Sequence, residues 1–563
     1  AAAVPPTVTA TASNAAVFLS WTETSEAASY LVQRATSVAG PYVAIATNDS
    51  STAFLDTGLN NGTTYHYKVL ARDADGEPLA ESSPVAATPA DLTSQAIWTR
   101  LTAGNASGGW GVAGNWLNNT IAAGQDITAN FSQLNITAAS TVTLDAARTV
   151  GHLIFGDVVP SHDWFLNTGT GGALTLNVNS GAPTINVNSR TTTIGAVIAG
   201  NSGLLKTGAG TLVLTNTANS FSGNITVTQG VLRAGNALAS AASRPVLGAA
   251  SSAGANILTV NSGATFQLAA NNQINNKQLY LNGAGSGETL GALYVDATGT
   301  QNGTRWGVGG SADPYVTLQS DAVIRVDGTI NSYNDSAFLI RSVNSAGFTL
   351  TKTGNGMLTL DQSGLGFTGN GHLKVSEGAV SVIGGAITGT TQVTVDSGAQ
   401  LRVRNNNALN STSSTLTING TLDLNNRNDQ IGGFTQTIGA LHGSGTITHG
   451  LFANDTATTF QINGNAVNSI FDGVITVQIG TLNLVKGGNN STLTLGGNNS
   501  YNGTTVVNAG TLLVHGTHAG GAPYTVNSGA TLGGVGEINA PVTIAPGATL
   551  SPGAGIGTLT IGG

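Results

Sequence analysis

Three related segments constrain this sequence more than any other feature, because a repeated unit dictates a repeated architecture. They begin at Gly203, Leu350 and Leu482. In each, a lysine and a glycine-rich turn lead into a Thr/Leu strand, an aromatic residue, a glycine and a β-branched strand. The aligned positions are Lys206, Lys352 and Lys486; Phe221, Phe367 and Tyr501; Gly223, Gly369 and Gly503; Val227, Val375 and Val507; and Gly230, Gly378 and Gly510. The lysines recur with the motif, so we interpret their spacing as architectural.

A shorter unit lies between these segments and after them. It reads TVNSGATF from Thr259, TVDSGAQL from Thr394, TVNSGATL from Thr525 and TIAPGATL from Thr543. Each copy is a strand, a tight corner with glycine and a second strand. Irregular self-similarity of short strands without helical periodicity is typical of a solenoid, whose coils stack because one coil cannot bury its apolar face alone. At about 20 residues a coil, the region after the first domain would make roughly 23 coils.

From about residue 195 to residue 563, the pattern K-T-G-x-G-x-L-x-L with its aromatic-x-Gly pair resembles the autotransporter-associated β-strand repeat of bacterial surface proteins. The resemblance implies a right-handed parallel β-helix. It leaves the activity open, because members of this family include adhesins, surface scaffolds and carriers of unrelated enzymes.

Composition restricts the possible chemistry. Only 8% of the 563 residues are charged, where about 25% is usual. The net charge of -8 comes without a basic cluster, so we expect no nucleic-acid partner. Cysteine is absent, and no apolar run approaches the roughly 20 residues that span a bilayer. The start Ala1-Ala2-Ala3 fits the mature end left by a signal peptidase, so we expect export, although an arbitrary boundary would look the same.

The first 90 residues predict a separate domain of seven short strands, a spacing typical of a sandwich. Trp21, Tyr30 and the run Leu59-x-x-Gly62-Thr63-x-Tyr65-x-Tyr67-x-Val69 resemble a fibronectin type III domain. By that resemblance, the Tyr65 hydroxyl would bond back to the backbone at the strand corner. Residues 91–125 then form a linker and a Trp/Gly-rich passage, and residues 126–563 form the β-helix.

Trp98, Trp110 and Trp116 lie in the Trp/Gly-rich passage. Aromatic rings on turns could stack on sugars. They could equally plug the open end of the solenoid, where the first coil would otherwise expose its core. We favour the plug, because the passage lies where the repeats begin.

Two other groups are candidates for chemistry. Asp157, His162, Asp163 and Trp164 form the densest polar cluster, which could chelate a cation or transfer a proton. A polar surface loop explains this cluster fully, and we favour that interpretation. Between Arg244 and Arg341, the pairs Tyr294 with Asp296 and Arg305 with Trp306 are the best candidates for a ligand groove, although core or rim packing is favoured there too.

The sequence therefore predicts an all-β, non-enzymatic, extracellular protein with no catalytic residue, cofactor or metal site. Polysaccharide lyases with a β-helical fold need clustered carboxylates, whereas the acids here are scattered. The final TLTIGG is in full strand pattern, which favours end-to-end joining of copies into a filament or surface layer. The alternative is a monomeric adhesin that binds extracellular polysaccharide or another cell surface, and a lyase comes last.

Overall fold

Strands make up almost all the regular secondary structure of the computed structural model. The structure describes residues 3–13, 16–48, 52–60, 62–89, 94–235, 242–243, 246–248, 257–269, 272–274, 277–297, 304–306, 316–330, 338–361, 366–389, 391–424, 434–449, 457–553 and 557–562. The chain divides into two compact units, Ala1–Ala96 and Ile97–Gly563, within the strand Gln95–Ile97. The domain identities and the boundaries expected at residues 90 and 125 stay predictions.

The first unit contains two antiparallel sheets that share one buried core. One sheet contains Val8–Ser13, Ala16–Trp21 and Ala53–Thr57, and the other contains Val43–Asn48, Ser29–Ala35, Tyr65–Arg72, Pro78–Glu81 and Val85–Ala87. Buried and half-exposed residues alternate along Tyr65–Arg72, as expected for a strand with one face on the core. Pro78–Glu81 is an eighth strand beyond the seven expected, and its opening proline disfavours a strand assignment from sequence.

In the second unit, strands that lie one coil apart along the chain pair in parallel, so each coil stacks on the coil before it. The largest sheet contains Gly108–Gly109, Thr128–Phe131, Ser140–Leu144, His152–Phe155, Trp164–Thr168, Thr184–Val187, Thr191–Ile194, Leu204–Thr207, Thr211–Leu214, Ile225–Val227, Gly230–Ala234, Ile257–Val260, Ala264–Ala269, Gln278–Gly283, Leu293–Asp296, Val316–Asp327, Val343–Asn344, Thr349–Thr353, Phe367–Thr368, His372–Val375, Gln392–Val395, Asn410–Ile418, Phe434–Gly443, Ala457–Ile462, Ser469–Phe471, Thr481–Lys486, Thr492–Leu495, Thr505–Val507, Thr511–Val514, Tyr524–Val526, Thr531–Gly534, Val542–Ile544 and Thr549–Pro552.

The remaining strands form further parallel sheets on the same coils. They are Ala242–Ser243, Asn272–Ile274, Thr304–Trp306, Phe338–Ile340, Met357–Leu360, Ala379–Val382, Gln400–Val403, Thr421–Asp423, Thr446–Thr448 and Val474–Ile475 in one; Arg148–Val150, Leu174–Leu176 and Ile198–Gly200 in another; and Thr517–His518, Glu537–Ile538 and Thr560–Ile561 in the last. Short 3-10 helices within the described ranges include Ala113–Asn115, Leu117–Asn119 and Ser286–Glu288. Among the described residues, no helix has the length and apolar content that crossing a bilayer would require.

The second repeat shows how the coils are built. Leu350 pairs in register with Leu373, and Leu373 with Val393, on one face. On the next face Leu358 pairs with Val380. All five side chains are buried, because inward positions of successive coils stack directly on one another. The expected parallel β-helix is thus present, and its right-handed winding stays a prediction.

Coil length varies more than the sequence suggested. Leu512 lies in register with Leu532, 20 residues later, whereas Leu232 lies in register with Phe266, 34 residues later. Strands on either side of the longer connection stay in register, so the stacked core continues past it. The estimate of roughly 23 coils is therefore too high, because it assumed a length of about 20 residues for every coil, which is near the short end of the observed spacings.

Candidate functional site

The three repeat lysines occupy the same buried position at the corner between two strands. The Lys206 ammonium donates hydrogen bonds to the carbonyls of Thr207 (2.8 Å), Gly208 (2.7 Å) and Gln229 (3.1 Å). The first two carbonyls belong to its own turn, and the third belongs to the next coil. Each lysine therefore joins two stacked coils through its side chain, and we call this arrangement the lysine corner.

The other two repeats reproduce the lysine corner. Lys352 donates to the carbonyls of Thr353 (2.8 Å), Gly354 (2.8 Å) and Glu377 (3.1 Å). Lys486 donates to the carbonyls of Gly487, Gly488 (3.3 Å) and Ala509 (3.2 Å), and to the Ser491 hydroxyl (2.7 Å). In every copy, the acceptor on the next coil is the residue just before the motif's last glycine.

Burial and hydrogen bonding act on these ammonium groups in opposite directions. Lys206 and Lys352 are 0% exposed and Lys486 is 1% exposed. Burial lowers the pKa of Lys206 and of Lys352 to about 7, and that of Lys486 to about 8. The carbonyl oxygens stabilise the charged form and oppose this shift, since three N–H donors meet at least three acceptors. The contacts give these lysines a structural role, in agreement with the architectural interpretation of their spacing.

The last glycine of each motif is required by the same corner. Gly378 has a φ of 63°, and a Cβ there would lie 2.4 Å from the Gly356 carbonyl oxygen and 2.5 Å from that of Gly354. Gly230 and Gly510 have φ values of 65° and 67° and meet carbonyl oxygens of the preceding coil in the same way. The coils approach so closely here that no side chain fits.

The three tryptophans at the start of the second unit are buried among themselves. Trp98 and Trp110 are 0% exposed and Trp116 is 2% exposed, and all three rings pack around Phe131. Each indole N–H donates to a backbone carbonyl, those of Ala106, Ala122 and Trp110 respectively. Buried rings cannot stack on sugars, so the geometry supports the plug and disfavours the sugar-binding alternative.

The polar cluster near residue 160 is a hydrogen-bonded loop. Asp157 is buried and accepts from the backbone N–H of Ile136 (3.0 Å) and of Ser161 (2.9 Å), and from the Ser161 hydroxyl. Asp163 accepts from the Thr191 N–H, and the buried Trp164 donates its N–H to the Gly156 carbonyl. These contacts use the carboxylates to hold the loop, in line with the structural interpretation. His162 contacts the hydroxyl of Ser161, its chain neighbour.

In the middle section, the candidate residues are buried to different extents. Trp306 is 0% exposed and packs against Phe266, so its side chain belongs to the core. The Arg305 side chain is half-buried on the adjacent position. Tyr294 is half-buried and lies 6.0 Å below the Arg325 guanidinium. The glycine-rich stretches 298–303 and 307–315 of this section lie outside the described residues.

A surface groove of about 620 Å³ lies beside the second lysine corner, at residues that were not among the candidates predicted from the sequence. Its lining includes Arg325, Asp327, Asn355 and Glu377. Arg325 and Asp327 form an ion pair at 2.9 Å. The sequence feature that could have indicated this groove is the concentration of charged residues, because the chain contains few charged residues overall.

The third repeat differs from the others in its interior. Tyr501 takes the place of Phe221 and Phe367, and its hydroxyl contacts those of Thr505 (2.6 Å) and Tyr524 (3.3 Å). His518 stacks on Tyr501 at 4.0 Å, contacts the Tyr501 carbonyl through Nε2 and contacts the Tyr524 hydroxyl through Nδ1. Because a carbonyl oxygen only accepts, Nε2–H donates to Tyr501, and in the neutral imidazole that burial favours, Nδ1 accepts from the Tyr524 hydroxyl. Burial lowers the pKa of His518 and raises that of Tyr524 to about 12.

No group of three or more His, Asp or Glu side chains suited to a metal ion occurs among the described residues.

Sequence comparisons identify the repeats. Residues 204–234, 350–382 and 484–514 match the passenger-associated-transport-repeat family. The chain is 28% identical over 416 residues to the adhesin BmaC autotransporter of Brucella suis biovar 1 (strain 1330), a match that covers 72% of this chain and 10% of that protein. The chain thus spans about a tenth of the length of this relative.

Other similarities are shorter or weaker. Amylopullulanases of Thermoanaerobacter thermohydrosulfuricus and Thermoanaerobacterium saccharolyticum are 41% and 38% identical over 81 and 87 residues, which are 14% and 16% of this chain and 6% and 7% of those proteins. An Fn3-like protein from Clostridium thermocellum is 36% identical over 15% of this chain and 92% of its own, with a TM-score of 0.14.

Pectate lyase PelI from Erwinia chrysanthemi, solved with tetragalacturonic acid, is 12% identical over 68% of this chain and 85% of its own, with a TM-score of 0.15. TM-scores of this size support no conclusion about either unit. Taken together, the comparisons show passenger-type repeats in a chain related to an autotransporter adhesin.

Proposed function

We propose that this protein is a non-enzymatic, adhesin-like passenger that is secreted and displayed at a bacterial cell surface. The observation that carries the proposal is the sequence relationship to an autotransporter adhesin over 72% of the chain. The lysine corners support it, because they join successive coils through buried side chains and so have a structural role. Asp157 supports it too, since its contacts hold a loop in place.

Surface display on a non-adherent bacterial strain tests this proposal. We expect cells that display the full chain to aggregate or to attach to epithelial cells or matrix-coated plates more than cells that display an unrelated β-helix. Attachment equal to that of the control strain on every surface would contradict an adhesin-like role.

The absence of enzymatic activity has its own test. Incubation of the full chain with starch, pullulan, or polygalacturonate plus Ca²⁺ should release no reducing or unsaturated ends. Product formation that scales with protein concentration would contradict the proposal and revive the polysaccharide lyase, or the amylopullulanase-like alternative.

We also propose that copies of the chain join end to end through the last described coil. Ile544, Leu550 and Ile561 are 38%, 41% and 39% exposed, although they pair in register with the buried Val526, Leu532 and Ile538. Their positions are equivalent to core positions, so any coil that stacked on them would bury this apolar surface. Our proposal is that a coil of another copy stacks there.

Light scattering over a concentration series and electron microscopy test this assembly. The full chain should form concentration-dependent oligomers or fibres, and Leu550→Glu should abolish them. Ile470→Glu is the matched control, since Ile470 is an exposed apolar residue in a coil that is already covered. A full chain that stays monomeric at high concentration would contradict end-to-end joining.

For the first unit, we propose a fibronectin type III module. The Asn60 backbone N–H donates to the Tyr65 hydroxyl at 3.1 Å, which is the tyrosine-corner bond of such sandwiches. Trp21 and Tyr30 pack edge to face in its core at 5.6 Å.

Tyr65→Phe should destabilise this unit by about 1 kcal/mol in urea unfolding, and an unchanged midpoint would contradict the corner role of Tyr65.

A further inference from the structure

The outward side chains next to the second lysine corner differ from those next to the other two. Glu377 precedes the last glycine of the second motif, where the first and third motifs have Gln229 and Ala509. Asp396 lies in the following coil, where the other copies have Asn261 and Asn527. The other two copies stack without charge at these positions, so the shared interior does not require the charges of the second repeat.

These charges are held in place by hydrogen bonds. Glu377 Oε2 accepts from the Gly354 N–H at 2.7 Å, and Asn355 Oδ1 accepts from the Gly328 N–H at 3.0 Å. Arg325 donates to Asp327 at 2.9 Å and to the Thr289 carbonyl at 3.3 Å, above the Tyr294 ring. The polar groups are therefore positioned before any ligand arrives, which lowers the entropic cost of binding.

The groove has the size and form of a binding site for an extended ligand. Its volume of about 620 Å³ lies within the range of roughly 300–1,000 Å³ of ligand pockets. Its lining runs from Arg325 through Gly354 and Gly378 to Gly398, over four successive coils. At about 4.8 Å per coil, this is a length of about 14 Å, longer than a single sugar ring.

The lining selects among classes of ligand. A peptide would need an apolar pocket or a free strand edge, whereas this groove offers polar side chains and glycine backbone. An anionic polymer would meet Asp327 and Glu377 while Arg325 is already paired, and like charges repel. Hydroxyl groups both donate and accept, so they match a mixture of carboxylate, amide and guanidinium groups.

We propose that the groove formed by Arg325, Asp327, Asn355 and Glu377 binds a segment of a neutral, hydroxyl-rich polysaccharide. The proposal rests on the adhesin-like function above and names the class of ligand for one site of that surface. The first and third lysine corners lack the charged side chains and bind no such ligand.

Binding of the full chain to defined oligosaccharides tests the proposal. The probes are maltohexaose, cellohexaose and chitohexaose, with hexagalacturonate as the anionic comparison, and binding is followed by saturation-transfer NMR and calorimetry. We expect at least one neutral hexasaccharide to bind, and to bind at least tenfold more tightly than hexagalacturonate. Binding of none of the neutral probes, or preference for hexagalacturonate, would overturn the proposal.

Two variants place the binding in the groove. Glu377→Gln removes the charge while keeping an acceptor for the Gly354 N–H, and Ser397→Trp blocks the lining at an exposed position. Each should weaken binding tenfold or more. Ser528→Trp, at the equivalent turn beside the third corner, should leave the affinity within twofold of that of the unchanged chain. Equal affinities for all variants would overturn the assignment of the site to the groove.

The surface-display assay separates this proposal from the proposed function. Cells that attach through the chain while no neutral probe binds would refute the groove alone. Cells that fail to attach while a neutral probe binds in the groove would refute the adhesin-like role and leave the groove standing.

Discussion

The three lysine corners have the same buried hydrogen-bond pattern but differ in the side chains around them. Lys206, Lys352 and Lys486 all donate to carbonyls on two successive coils. The second corner alone combines Arg325, Asp327 and Glu377 in a surface groove, and the third repeat alone buries a tyrosine and histidine network. The difference teaches that stacking fixes the lysine and glycine, whereas positions facing solvent are free to acquire a separate role.

The largest effect should come from adding a methyl group where the coils meet. Gly378→Ala should lower the free energy of unfolding of the second unit by about 3–5 kcal/mol, because its Cβ would collide with two backbone oxygens at positive φ. Gly398→Ala is the matched control: it also has positive φ, but no atom lies within 4 Å of the added Cβ, so about 1–2 kcal/mol is expected. Equal urea midpoints for the two variants would contradict the claim that close contact between the coils excludes a side chain at Gly378.

Removal of the ammonium should have the next largest effect. Lys352→Met keeps the length of the side chain but leaves three carbonyls without their donor, so we expect a loss of about 2–3 kcal/mol in urea unfolding. Lys206→Met should cost about the same. Lys374→Met, on the exposed surface of the same strand region, should cost less than about 0.5 kcal/mol. A negligible cost at all three corners would show that the ammonium bonds do not hold the coils.

The third repeat adds a buried histidine that the first two repeats lack at this position, and with it a pH dependence of its own. Burial lowers the pKa of His518 below its usual 6.5, so between these two values the unfolded chain holds a proton that the folded chain lacks. Stability therefore rises with pH through this window and is lost as the pH falls below 6.5. Urea midpoints measured from pH 7.5 to 5 should fall, and His518→Gln should reduce the fall. Half-buried His152 and His372 and the three repeat lysines, whose pKa values burial also lowers, contribute to the remainder.

The smallest effect should come from the hydroxyl that distinguishes the third repeat. Tyr501→Phe restores the residue type of the first two repeats and should cost about 1 kcal/mol, because Thr505 and Tyr524 lose a partner. A double-mutant cycle with Thr505→Val isolates the bond between the two hydroxyls. A coupling energy of zero would show that the network contributes nothing to this repeat.

The sequence predicted the stacked coils because the repeat spacing and inward apolar residues are local patterns. Lys206 and its aligned partners were recognised as architectural, but their acceptors were not, since Gln229 is 23 residues away and only the winding brings it close. The burial of Trp98 follows from its place at the start of the coils. Coil lengths could not be read from the sequence, because long insertions between strands leave the strand pattern unchanged.

The groove beside the second corner could not be predicted from the sequence for a similar reason. Arg325, Asn355 and Glu377 come from different coils, and nothing in their spacing along the chain places them together. Trp306 was predicted as a candidate instead, because it is aromatic, but its side chain is buried in the core. In a chain with 8% charged residues, a change from Asn or Gln to Asp or Glu between copies of one repeat is the informative signal.

The central claim, that the repeat lysines lie inside the stacked coils, has a direct chemical test. The folded full chain is treated with an amine-acylating reagent at pH 8, and modification of each lysine is followed by mass spectrometry. Lys206, Lys352 and Lys486 should be protected by at least a hundredfold relative to Lys374, whose side chain is 41% exposed. Modification of the three repeat lysines at the rate of Lys374 would contradict the account.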